Sequence, residues 1–189
     1  MTMKYSKKET AYRDYSPSWR FLTQNPASFF AFGFGAGLSP KAPGTAGSLV
    51  GFPVAWAVLA LIPRDPNRAW MLAAAALALF LAGVPICARS EKQVMRKDYG
   101  GIVFDEIAAM AGLLFFVPCD PLYWAAAFVF FRVFDIFKPQ PVGWVDQNTS
   151  GGFSIMIDDT LAAVYAWLCV LAMQWGAHWL GFRVPGLPF

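Results

Sequence analysis

The sequence predicts an all-α integral membrane protein, a helical bundle of about five membrane-embedded helices preceded by an N-terminal interfacial helix. Three observations carry this. Apolar residues make up 57% of the 189 positions, against about 45–50% in soluble domains. Charged residues make up 14%, where about 25% is usual. The apolar residues fall into five long runs separated by breakers, including Pro118-Cys119-Asp120-Pro121. Disorder is excluded, because it needs low hydrophobicity and high net charge. Cys87, Cys119 and Cys169 share no close spacing, so they form neither a disulfide framework nor a thiolate metal site.

Residues 1–25 form a polar, basic segment with Lys4, Lys7, Lys8, Arg13 and Arg20. No apolar h-region follows a short basic start, which argues against a signal peptide. Ser16 followed by Pro17 reads as an N-cap and first helical position. The aromatic stretch Trp19–Phe34 suits a helix lying in the membrane interface. Residues 26–181 form the membrane-embedded domain and residues 182–189 a short tail. The apolar runs are Ser48–Pro63, Ala69–Ala88, Ile102–Val117, Leu122–Phe137 and Phe153–Leu180. A span needs about 20 residues, so several runs are short. Four spans, with one run buried or re-entrant, is the alternative count.

Five spans with the N-terminus inside place 12 of the 15 Lys and Arg residues on the cytoplasmic side. Only Arg64, Arg68 and Arg183 fall outside. This bias follows the positive-inside rule.

Ionisable residues in a span cost about 2.5–3.5 kcal/mol each on insertion scales. Here Asp105 and Glu106 open the third run, Asp158 and Asp159 open the fifth, and Asp135 nearly ends the fourth. At a rise of 1.5 Å per residue the two pairs sit roughly 5–9 Å below the cytoplasmic boundary. Helix capping explains carboxylates at N-termini, but explains Asp135 at a C-terminal end poorly. Five carboxylates at one depth repel one another unless a divalent cation joins them. Oxygen donors without His suit Mg²⁺ or Mn²⁺. Asp98, just before Gly100-Gly101, is a candidate supporting group behind the ligands.

The stretch Gly33–Ser48 is rich in Gly, Ser, Thr and Pro and contains Lys41. Free N–H groups, hydroxyls and a helix start make an anion site; a flexible entry loop with close helix packing is the structural alternative. Arg132, Asp135 and Lys138 share one helix side by spacing. Gly151-Gly152 forms a hinge ahead of the double Asp. His178 stands alone near the outer end of the last run and reads as an interfacial residue.

The order of these motifs resembles the phosphatidylglycerophosphatase A family, Mg²⁺-dependent membrane phosphatases of bacterial phospholipid synthesis. The matching stretches are Leu38-Ser39-Pro40-Lys41-Ala42-Pro43-Gly44-Thr45 with Gly47-Ser48-Leu49, then Gly101-Ile102-Val103-Phe104-Asp105-Glu106, Phe131–Pro141 and Gly151–Asp159. Departures are Ala46, where the family often has Trp, and Arg96-Lys97 ahead of Asp98, where it often has an acidic or His-containing segment. The resemblance implies hydrolysis of phosphatidylglycerophosphate to phosphatidylglycerol and phosphate, in the bacterial cytoplasmic membrane with the site facing the cytoplasm.

On this reading Asp105, Glu106, Asp135, Asp158 and Asp159 hold one or two Mg²⁺ ions, with Asp105, Glu106 and Asp159 catalytic. Lys41, Thr45, Ser48, Arg132 and Lys138 bind the phosphate. The partners expected are the phospholipid and the bilayer, with no nucleic acid. Direct water attack and an aspartyl-phosphate both remain open. A cation transporter or channel using the acidic cluster is the alternative from a different class.

Overall fold

The computed structural model describes residues 17–96, 99–140, 151–182 and 186. The sequence expectations at Ser16, Asp98 and Arg183 lie outside these residues. The described chain is helical throughout, with two short leading helices, a 3₁₀ segment and five longer helices. The leading helices are α1 (Trp19–Gln24) and α2 (Pro26–Ala31), followed by the 3₁₀ segment Gly33–Leu38. The bundle comprises α3 (Pro43–Leu61), α4 (Arg68–Val94), α5 (Phe104–Leu114), α6 (Pro121–Phe137) and α7 (Gly152–Trp179). All five apolar runs become helices. Of these, α3, α4 and α7 are long and apolar enough to cross a membrane. The other two are shorter, α5 with 11 residues and α6 with 17.

The predicted interfacial helix is two helices, because Pro26 breaks the run after Asn25. Leu22, Ala31 and Phe32 are buried against Cys87, Val94, Ile102 and Met156. The pair therefore packs on the bundle as well as presenting Trp19 and Phe30 outward.

Helix α5 is the centre. Seven of its 11 residues are buried, from Ile107 to Leu114, and α3, α4 and α7 pack around it. Gly44, Gly47, Ser48, Gly51 and Ala55 form the buried stripe of α3. Small residues at this spacing bring backbones close, which is how helices associate in lipid. Helix α6 docks on α7 through Tyr123, Ala127 and Phe131, spaced one turn apart. The outward faces are apolar as well: Leu77 and Leu81, Val129 and Val133, and Val164 and Leu168 are all exposed. A bundle that is apolar inside and out is one solvated by lipid.

The ends are tied by specific polar contacts. Asp120, within the breaker ahead of the fourth run, caps α6 by accepting N–H bonds from Leu122 (2.9 Å) and Tyr123 (3.4 Å). Arg68, buried at the start of α4, donates to the carbonyls of Leu59 (2.6 Å) and Ile62 at the end of α3. Between α5 and α6, the Phe116 and Val117 N–H groups bond back to Leu113 and Leu114. The Trp167 indole donates to the Phe116 carbonyl at 3.2 Å.

Candidate active site

The alternation of the bundle brings the start of α3, the end of α4, the start of α5, the end of α6 and the start of α7 to one end. Asp105 and Glu106 occupy the first turn of α5, where the helix dipole favours anions. The strand of chain before them is pinned: the Val103 N–H donates to the Ala31 carbonyl (2.8 Å) and the Ile102 N–H to Tyr99 (2.9 Å). Asp158 and Asp159 are buried in α7. Their height is set by Gly152, since a Cβ there would strike the Val84 carbonyl of α4. Gly44 does the same for α3, because a Cβ there would strike Glu106 Oε1 and approach Arg132 Nη1 at 3.3 Å.

Asp105, Glu106 and Asp159 each present a carboxylate oxygen, and these oxygens lie within 4.8 Å of one another. Asp105 Oδ1, Glu106 Oε2 and Asp159 Oδ2 are shielded from solvent and accept no hydrogen bond among the described residues. The neighbouring cations are engaged elsewhere. Arg132 Nη1 pairs with Asp135 Oδ2 at 2.6 Å, and Lys138 Nζ with Asp158 Oδ2 at 2.7 Å. Asp158 Oδ1 also accepts the Asp159 N–H at 3.0 Å. Three carboxylates this close, each with one buried oxygen that accepts no hydrogen bond among the described residues, and with only oxygen donors, fit a hard divalent cation. Asp105, Glu106 and Asp159 would hold it.

A cavity of about 180 Å³ opens onto this trio. Asp135, Lys138 and Asp158 also line it, with Tyr99, Gly100, Ile102, Ser154 and Ile155. Lys138 reaches it from a left-handed backbone conformation (φ 41°) that ends α6. Ser48, buried, donates to the Gly44 carbonyl (2.9 Å), and Arg132 Nη1 lies 3.4 Å from its Oγ. Thr45 is half-buried in the first turn of α3, and Lys41 is exposed in the loop before it. Neither lines the cavity. His178 is exposed near the far end of α7. Tyr99 and Ser154 escaped the sequence reading. Their only signals are adjacency to Gly100-Gly101 and to the Gly151-Gly152 hinge.

The fold and site define a helical integral membrane protein with a carboxylate centre, able to hold a metal ion, at one end of its bundle. The sequence matches the family described as Phosphatidylglycerophosphatase A over residues 29–174, and the chain belongs to that family. It is similar to phosphatidylglycerophosphatase A of Escherichia coli (strain K12), at 38% identity over 162 residues, 85% of this chain and 89% of the relative. It is also similar to phosphatidylglycerophosphatase A of Haemophilus influenzae, at 40% identity over 161 residues, 85% and 96% of the two chains. A Bacteroides thetaiotaomicron protein, provisionally named a phosphatidylinositol-3-phosphatase, is 36% identical over 146 residues, 76% of this chain and 90% of that one. No solved structure matches the chain.

Proposed function

We propose that this chain hydrolyses the terminal phosphate monoester of phosphatidylglycerophosphate, giving phosphatidylglycerol and phosphate, at the cytoplasmic leaflet of a bacterial inner membrane. The observation that carries this is the Asp105–Glu106–Asp159 trio, with carboxylate oxygens within 4.8 Å of one another and one unpartnered buried oxygen on each residue, set at one end of a membrane bundle in a chain of this family. Asp105, Glu106 and Asp159 would hold Mg²⁺, which would supply Lewis-acid polarisation of the phosphoryl oxygens and make water a better nucleophile. The protein's part is to place and balance charge. Lys138 and Arg132 stand beside the cavity to offset the charge that develops on the phosphoryl group. The start of α3, with Thr45 and Lys41, adds N–H groups and a cation on the approach. Asp135 and Asp158, held by Arg132 and Lys138, are the nearest carboxylates to take the proton of an attacking water.

The Lys and Arg distribution supports the cytoplasmic orientation. A transporter reading needs a polar path through the opposite half of the bundle. There the described interior is mainly apolar, with Leu59, Leu72, Leu113, Leu114 and Val170, and the buried Arg68 is bonded to the Leu59 and Ile62 carbonyls, so it carries no chain of polar groups.

The test is phosphate release from phosphatidylglycerophosphate by detergent-solubilised protein. We expect turnover with Mg²⁺ and its loss in EDTA. Full activity in excess chelator removes the metal from the reading, and no hydrolysis under either condition removes the reading itself. Single turnover in ¹⁸O-water separates direct attack, which labels the phosphate, from a phosphoenzyme that can be trapped.

A further inference from the structure

Helices α3 and α6 both flank α5, and between them runs an open groove of about 1350 Å³. Leu49, Phe52 and Trp56 form one wall and Ala125, Phe128 and Val129 the other. Phe52 meets Phe128 and Trp124, with ring centroids 5.9 and 5.7 Å apart, and these rings close its floor. Leu49 directly follows Ser48, and Val129 precedes Arg132 by one turn. One end of the groove therefore lies next to the Ser48–Arg132 contact, and the same Arg132 pairs with Asp135 in the active site. Its opposite end carries Arg64 and Arg68 against Asp65 and Asp120. That end is formally neutral and gives an anionic headgroup no net attraction. The groove thus has one end beside Arg132 and an apolar body leading away from it.

We propose that this groove seats an acyl chain of the glycerophospholipid substrate while its phosphate lies at the Asp105–Glu106–Asp159 centre. The assignment rests on the phosphatase reading and extends it to the lipid tail. The dimensions agree. From Leu49 to Leu59 the helix rises about 15 Å, half of a hydrocarbon core about 30 Å thick, which is the depth of one leaflet. The groove does not act by hydrophobic affinity, because the surrounding lipid is equally apolar. It acts by registration: a tail held along α3 fixes how far the headgroup reaches over the α3 start into the site. Misplacement by about 1 Å costs up to about a hundredfold in rate.

The test compares kcat/KM for dioleoyl and dihexanoyl phosphatidylglycerophosphate in mixed micelles. The variants Ala125→Trp and Val129→Trp narrow the groove at exposed wall positions, so neither disturbs buried packing. Leu77→Trp, exposed on α4, is the control. We expect the long-chain to short-chain ratio to fall about tenfold or more in both groove variants and to stay at the wild-type value in the control. Active wild type with an unchanged ratio in both groove variants overturns the groove assignment alone. Equal loss on both substrates, or a control as impaired as the groove variants, also overturns it. Wild type inert on both chain lengths overturns the phosphatase reading and the groove with it.

Discussion

Asp159→Asn removes one of three carboxylates whose oxygens lie within 4.8 Å while keeping the side chain's shape. At that distance and an effective dielectric of about 20, each like-charge pair costs at least about 3.5 kcal/mol. The substitution deletes two of the three pairs. Even if relaxation leaves only a third of one pair's repulsion, about 1 kcal/mol is recovered, or about 2–4 °C in Tm for a chain of this size. In EDTA the variant should therefore melt above the wild type. Saturating Mg²⁺ should reverse the order. At a concentration a hundred times Kd the wild type gains about 2.7 kcal/mol, whereas the variant, with a weakened site, gains little. The assay is a thermal scan of detergent-purified protein with and without Mg²⁺, alongside phosphate release, which the variant should lose. If Asp159→Asn lowers Tm equally in EDTA and in Mg²⁺, the trio stores no repulsion and the cation site is wrong.

Gly44→Ala places a methyl group against Glu106 Oε1. Overpacking of this kind costs about 1–3 kcal/mol, and activity should fall at least tenfold with a weakened Mg²⁺ response; near-normal turnover would show that α3 does not touch the centre. Lys41→Ala should lower kcat/KM by about 10- to 150-fold, the loss of one charge-assisted contact worth about 1.5–3 kcal/mol, with the Mg²⁺ requirement unchanged. In intact cells Lys41→Cys should react only from the cytoplasmic side, and outside labelling would invert the topology. Arg68→Gln strips donors from two buried carbonyls and should cost about 2 kcal/mol, seen as a Tm about 4–8 °C lower. Its residual activity should keep the wild-type Mg²⁺ requirement, as should that of His178→Ala.

The helices were legible because hydropathy reports what lipid demands, and the shared end of the carboxylates followed from counting residues from each boundary. Hydropathy does not report helix length past the membrane. Helix α4 continues beyond Ala88 through Arg89, Glu91 and Lys92 to Val94, because those residues favour helix as readily as the apolar run does. The division of the five carboxylates was also invisible. It depends on Lys138 turning left-handed to reach Asp158, and on the side of α6 from which Arg132 reaches Asp135. Spacing puts Arg132 and Asp135 on one face but does not say which carboxylates of other helices the cations leave unpaired. Tyr99 enters the cavity through a loop whose path is set by the Ala31 and Tyr99 carbonyls, contacts that no local pattern encodes.

The shortness of α5 bears on how the chain enters a membrane. Eleven residues rise about 16 Å, roughly half of the hydrocarbon thickness, and the first turn carries two carboxylates. Such a segment has no stable transmembrane state of its own. The turn that follows it is sheltered partly by the indole of Trp167, and the third carboxylate of the centre is Asp159; both belong to α7, which comes later in the chain than α5 and α6. Until α7 is made, α5 can pack only on α3 and α4 and lacks the part of its surroundings that α7 supplies. Chains stopped before residue 152 should be proteolysis-prone and inert, and the centre comes into being only when α7 is in place.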